Sequence, residues 1–150
     1  MRVFDGVPAL EAAVGTHLGY SGWHTIGQEQ IDAFAAVTGD QQWIHADATR
    51  AAAGPFGTTI AHGFLTLSLV PLLTWQVYSV EGVRMAVNYG ADKVRFPSPV
   101  PADAKVRAGV ELTAVKQTSA GYQVFTRVTV DGENSDKPSC VVDMIALVVP

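Results

Sequence analysis

The run from Gly63 to Tyr78, GFLTLSLVPLLTWQVY, constrains the fold more than any other stretch of the chain. It is apolar on nearly every face, and a helix with no polar side has to be an interior element that the rest of the molecule covers. Pro71 has no N–H to give and is expected to kink this central helix. Thr66, Ser68, Pro71, Thr74 and Gln76 interrupt the run, which makes it a poor membrane span.

The cover lies downstream. From Val83 the hydrophobic period changes to two: Val83, Met85, Val87 and Tyr89 alternate with Arg84, Ala86 and Asn88. Val106, Ala108, Val110 and Leu112 likewise alternate with Lys105, Arg107, Gly109 and Glu111. Residues 122–130 are β-rich, Asp131-Gly132 marks a turn, and residues 139–149 are apolar on both faces, as a strand in the middle of a sheet would be. Helices early and strands late give an α+β pattern, with an antiparallel sheet wrapped around the buried helix.

Upstream, residues 8–14 read as a short helix with Pro8 in its first turn, and residues 20–26 as a first strand. Gln28 to Thr38 is a helix with Ile31, Phe34, Ala35 and Thr38 on one face; Glu29 suits its positive end and Gly39 stops it. A second short helix runs from Asp47, a good N-cap, to Ala53, before Gly54-Pro55. Between the two helices lie Asp40 and His45, and the connecting segment ends at His62-Gly63, where the apolar run begins. A carboxylate, an imidazole and a helix start are thus brought out on one segment held by rigid elements, the usual setting of catalytic groups.

The stretch Gly39-Asp40-Gln41-Gln42-Trp43-Ile44-His45 resembles the GDxNP[LIV]H motif of the MaoC-like, or hydratase-2, family. Asp47, Ala51, Pro55-Phe56-Gly57 and Ile60-Ala61-His62-Gly63 follow in that family's order. Asn88-Tyr89-Gly90 and the run from Lys93 to Val100 are similar to its nodulation-protein-N-like branch. The resemblance implies a single hot-dog domain over residues 1–150, side-by-side homodimers, and an (R)-specific 2-enoyl-CoA hydratase of fatty-acid metabolism that interconverts trans-2-enoyl-CoA and (R)-3-hydroxyacyl-CoA.

Hydration of such a thioester requires a water to lose a proton as it attacks C3, C2 to gain one, and the thioester oxygen to be stabilised. The resemblance assigns the proton transfers to Asp40 and His45 and the carbonyl contact to the backbone N–H of Gly63; an unpaired N–H at a helix start suits that contact. His62 is expected to cap the helix, bond the loop or face the substrate. Gln42 and Trp43 stand where the family has Asn and Pro: Gln42 keeps an amide, and Trp43 is a candidate for the acyl channel or the core. Lys93 and Arg95 are candidates for the coenzyme A phosphates, or else solvated charges on a strand. A hot-dog thioesterase and the acyl-binding subunit of a heterodimeric dehydratase are the alternative readings.

Composition narrows the field further. A net charge of −4 offers no basic footprint for nucleic acid. A hydrophobic content of 48% and a mean hydropathy of +0.20 suggest that some apolar surface is covered by another subunit. The single cysteine, Cys140, sits in an apolar run and can form no internal disulfide, which suits a reducing cytoplasm. No signal peptide is evident, the Asp, His and Cys residues lack a zinc-ligand spacing, and no cofactor is implied.

Overall fold

In a computed structural model describing all 150 residues, the long strands form one antiparallel sheet bent around the apolar run. Its elements are β1 (Arg2–Phe4), α1 (Gly6–Glu11), β2 (His17–Tyr20), β3 (His24–Thr25), α2 (Gln28–Thr38), α3 (Trp43–Ala46), α4 (Ala48–Ala52), α5 (Gly63–Ser68), α6 (Val70–Thr74), β4 (Tyr78–Val80), β5 (Met85–Arg95), β6 (Lys105–Thr118), β7 (Gly121–Gly132) and β8 (Pro138–Val149). The strand order is β2-β6-β7-β8-β5, with β3 also pairing to β6. This is the hot-dog arrangement that the sequence led us to expect.

The period-two pattern does what it promised. Val106, Ala108, Val110 and Leu112 of β6, Val124, Val128 and Val130 of β7, and Cys140 and Val142 of β8 are fully buried on the inner face. They form one core cluster with Leu65, Leu69, Val70 and Leu73 of the central run. Each such side chain contributes roughly 1.5–3 kcal/mol when removed from water. The helix they enclose is shorter and more broken than expected. It splits at Leu69 into α5 and α6 and ends at Thr74, because Pro71 enters the first turn of α6 and cannot bond back into α5. Residues 78–80 leave the helix to form β4, which pairs in parallel with β1. No helix is long and apolar enough to cross a membrane.

Two further local expectations change. The strand placed over residues 20–26 is two short strands, β2 and β3, separated where buried Ser21 exchanges bonds with Ala108 of β6. His45, placed on a connector, lies in the one-turn helix α3. The strand β5 forms where expected, but the expected alternation of burial does not appear, because β5 is the sheet edge: Met85, Val87 and Tyr89 are 52%, 42% and 62% exposed. Two register shifts, one flanked by Asn88 and Gly90 and one by Asp92 and Arg95, bend this edge.

Candidate active site

The site is built on the segment between α2 and α5. Gly39 ends α2 in the left-handed region (φ 80°), its N–H on the Ala35 carbonyl, and this turns the chain so that Asp40 is exposed. One turn later α3 carries His45, which is buried. Its Nδ1 is 2.7 Å from the Ile60 carbonyl oxygen. A carbonyl can only accept, so Nδ1 carries the proton and Nε2 keeps the lone pair, as a general base requires.

The His45 backbone is fixed as well. Gln28, the first residue of α2, donates from Nε2 to the His45 carbonyl (2.8 Å) and to Asp32 (2.9 Å), and its Oε1 accepts from the buried Thr59 hydroxyl. Ile60 N–H closes the ring of contacts on the Ile44 carbonyl. The base is therefore held from α2 and from the Thr59-Ile60 strand-like segment at once. Gln28 and Thr59 were not foreseen, because nothing in the sequence marks a glutamine at a helix start as a clamp on a residue 17 positions away.

The segment's second histidine, His62, stacks on His45 with ring centroids 3.8 Å apart and planes 24° apart. Its Nε2 lies 2.9 Å from the main-chain oxygen of Asp40. A carboxylate oxygen of Asp40 and one nitrogen of each histidine lie within 4.8 Å of one another. Three such groups raise the question of a metal, and the geometry answers poorly to one. Imidazole lone pairs lie in the ring plane, so stacked rings point theirs side by side rather than at a shared centre, and one nitrogen of each ring already faces a carbonyl. The arrangement suits proton transfer: a water between a carboxylate and a basic imidazole.

Gly63 opens α5, and as its first residue has an N–H with no acceptor inside the helix. A Cβ at this position would lie 2.8 Å from the Phe96 ring, so glycine is required here by space. Phe96 is thus the wall over the helix start, with Phe64 edge-on to it.

The other candidates scatter. Gln42 is exposed and caps α3 without a side-chain bond. Trp43 packs under the Arg50 guanidinium (4.4 Å) and against Gly54, where a Cβ would meet its ring at 2.9 Å; it belongs to the α3–α4 packing. Lys93 sits at positive φ (53°) in the bulged edge and reaches Asp143 at 3.7 Å. Asp143 also takes both hydrogen bonds of Arg127, which holds its carboxyl below the usual range, and the three lie on the outer face of the sheet, opposite the helix. Arg95 bonds only the adjacent Val94 carbonyl and pairs with no carboxylate.

A cavity of about 370 Å³ lies between the central helix and the edge of the sheet, within the range of small-molecule sites. Val70, Pro71 and Thr74 of α6, Tyr78 of β4, Val87 of β5 and Met144 of β8 are among its mostly apolar walls. A second hollow lined by Leu67, Ser68 and Tyr89 shares Pro71, Asn88 and Met144 with it and reaches the C-terminal end of α5; Asp40, His45, His62 and Gly63 line neither. Trp43 lines neither hollow.

A hot-dog sheet with a carboxylate and an imidazole at the helix entrance is consistent with a hydro-lyase, an enzyme that adds or removes water, and the chain's relatives are named as dehydratases and hydratases. The chain belongs to the MaoC-like family: the model of the MaoC like domain matches residues 9–134. It is 53% identical over 146 residues to 3-hydroxyacyl-thioester dehydratase Z of Mycobacterium tuberculosis, covering 97% of each chain. It is 41% identical over 142 residues to Nodulation protein N of Rhizobium leguminosarum bv. viciae, covering 93% of this chain and 88% of that one. Among solved structures, the (R)-hydratase from A. caviae involved in PHA biosynthesis superposes with a TM-score of 0.70 at 25% identity, over 91% of this chain and 96% of that one.

Proposed function

We propose that the protein is an (R)-specific 2-enoyl-thioester hydratase, catalysing the reversible syn hydration of trans-2-enoyl-CoA to (R)-3-hydroxyacyl-CoA. The observation that carries this is the pairing of Asp40 with a His45 whose Nδ1–H is fixed on the Ile60 carbonyl, which leaves Nε2 basic. A water between them loses a proton to the pair as its oxygen bonds C3, and the pair returns a proton to C2. Between these events the thioester oxygen carries enolate charge, and we assign its stabilisation to the Gly63 N–H, which has no acceptor inside α5. The same groups serve the reverse direction, dehydration, by microscopic reversibility.

The hollow along α5 and α6 accepts the acyl chain, an assignment that its apolar walls support. We assign Arg95, whose side chain bonds only the Val94 carbonyl, as the cation for the carrier's phosphates. The active unit is a homodimer: the β5 edge offers unpaired backbone together with exposed Met85, Val87 and Tyr89, and Phe64 and Trp75 are 66% and 68% exposed nearby on the central helix. A cytoplasmic site of action fits a lone Cys140 that burial pushes up to about 11, a thiol unsuited to disulfide exchange.

The deciding experiment incubates the protein with crotonyl-CoA and longer 2-enoyl-CoAs, follows loss of the conjugated thioester, and determines the configuration of the 3-hydroxyacyl product. Hydration to the (R) product is expected. Release of free coenzyme A without hydration would make the protein a thioesterase instead.

A further inference from the structure

We infer that His62 is a positioning residue that sets the separation of Asp40 from His45, an inference that rests on reading those two as the catalytic pair. Its Nε2–H donates to the Asp40 carbonyl (2.9 Å), and its ring face supports the His45 imidazole at 3.8 Å, with Phe34 behind it at 5.0 Å. His62 is itself the residue before Gly63 and caps α5. The acid, the base and the carbonyl donor are therefore joined through one residue: by a side-chain hydrogen bond to the Asp40 main chain, by a ring stack and by a peptide bond.

Two observations separate this role from mere packing. Asp40 has little else to hold it. It is exposed, its own N–H is 3.4 Å from the Thr38 hydroxyl, and its carboxylate takes part in no ion pair within the chain. The bond from His62 is the short contact that fixes its peptide. Second, Nδ1 of His62 is buried and has no partner. An unsatisfied buried polar atom is destabilising, so a phenylalanine would serve better if the position needed only a ring. What imidazole adds is the Nε2–H, and that hydrogen is spent on Asp40.

The test compares His62→Phe, which keeps a ring and removes the donor, with His62→Gln, whose Nε2 reaches the same place without the ring. We measure kcat and KM on crotonyl-CoA, Tm by circular dichroism, and the tautomer of His62 in the wild-type protein by long-range proton–nitrogen NMR. The expected result is an Nε2–H tautomer, a kcat about 10- to 100-fold lower in His62→Phe with KM little changed, and recovery of most of that loss in His62→Gln. Wild-type kcat in folded His62→Phe overturns the inference. So does a loss carried by KM, or equal losses in both variants that follow Tm. An Nδ1–H tautomer overturns it whatever the variants do, including if neither folds. A wild-type protein that hydrates no 2-enoyl thioester refutes the functional reading instead, and the tautomer then still decides whether His62 holds Asp40.

Discussion

The Phe96 ring lies so close over Gly63 that a Cβ there would sit 2.8 Å from it. Any test of the Gly63 N–H must therefore remove the ring first. In a Phe96→Ala background, Gly63→Pro is expected to turn over on the order of 100- to 1,000-fold more slowly than Gly63→Ala, the usual effect of losing one oxyanion-type donor. Proline fits the backbone, because Gly63 is not at positive φ and His62 before it is extended (φ −60°, ψ 139°). Equal rates for the two variants, measured on folded protein, would move the carbonyl contact elsewhere.

Asp40→Asn and His45→Gln are each expected to slow hydration by roughly 100- to 10,000-fold, the range for removing a positioned acid or base. Asp40 is exposed, so its variant should melt close to wild type; His45 is buried and bonded to Ile60, so its variant should melt lower. Steady-state kinetics on folded protein decide it: near wild-type turnover in either variant removes that residue from the mechanism.

Gln28→Ala should cost about 1–3 kcal/mol in denaturant unfolding, because the buried Thr59 hydroxyl and the His45 carbonyl both lose their partner. Turnover should fall more than substrate affinity, since the affected backbone is that of the base. Unchanged stability and rate would show that the clamp on His45 is carried by Ile60 alone.

The hollow beside α6 places chain-length selection at Thr74, whose side chain is bonded to the Pro71 carbonyl in the cavity wall. Thr74→Phe should leave crotonyl-CoA turnover within a few-fold of wild type and depress that of a twelve-carbon enoyl-CoA by about 10-fold or more. Trp43→Ala, on the α3–α4 packing, should leave the ratio of the two substrates unchanged. A shift in that ratio with Trp43→Ala would return the tryptophan to the acyl path.

Light scattering should give twice the 15.9 kDa chain mass. Met85→Lys, on the exposed edge strand and outside the cavity wall, should shift the protein toward monomer and lower activity together. An active wild-type monomer at working concentration would overturn the dimer.

Much of this was legible in the residues because it rests on local chemistry. The α2 boundaries follow from Gln28, Thr38 and the stop at Gly39, and the inner face of β6 follows from strict alternation. The strands β1 and β4 were not legible: three residues each, they exist only because the chain returns beside itself. In the sequence Lys93 is a candidate for the coenzyme A phosphates or else a solvated charge on a strand, and residue type alone does not separate the two. The register shift around it sends the lysine to Asp143 on the far face. The bond from His62 to Asp40 spans 22 positions and reflects tertiary structure alone.

The parallel pairing of Arg2–Phe4 with Tyr78–Val80 fastens the first residues of the chain to the wall of the cavity, since Tyr78, Ser79 and Val80 all line it. During synthesis the opening strand has no partner until residue 80 has left the ribosome, so this pairing closes late and over a long loop. Afterwards, what is fused to Met1 pulls on a strand one hydrogen-bonded step from the proposed acyl chain. The amino terminus, remote from Asp40 and His45 in sequence, is thereby a handle on the far end of the substrate.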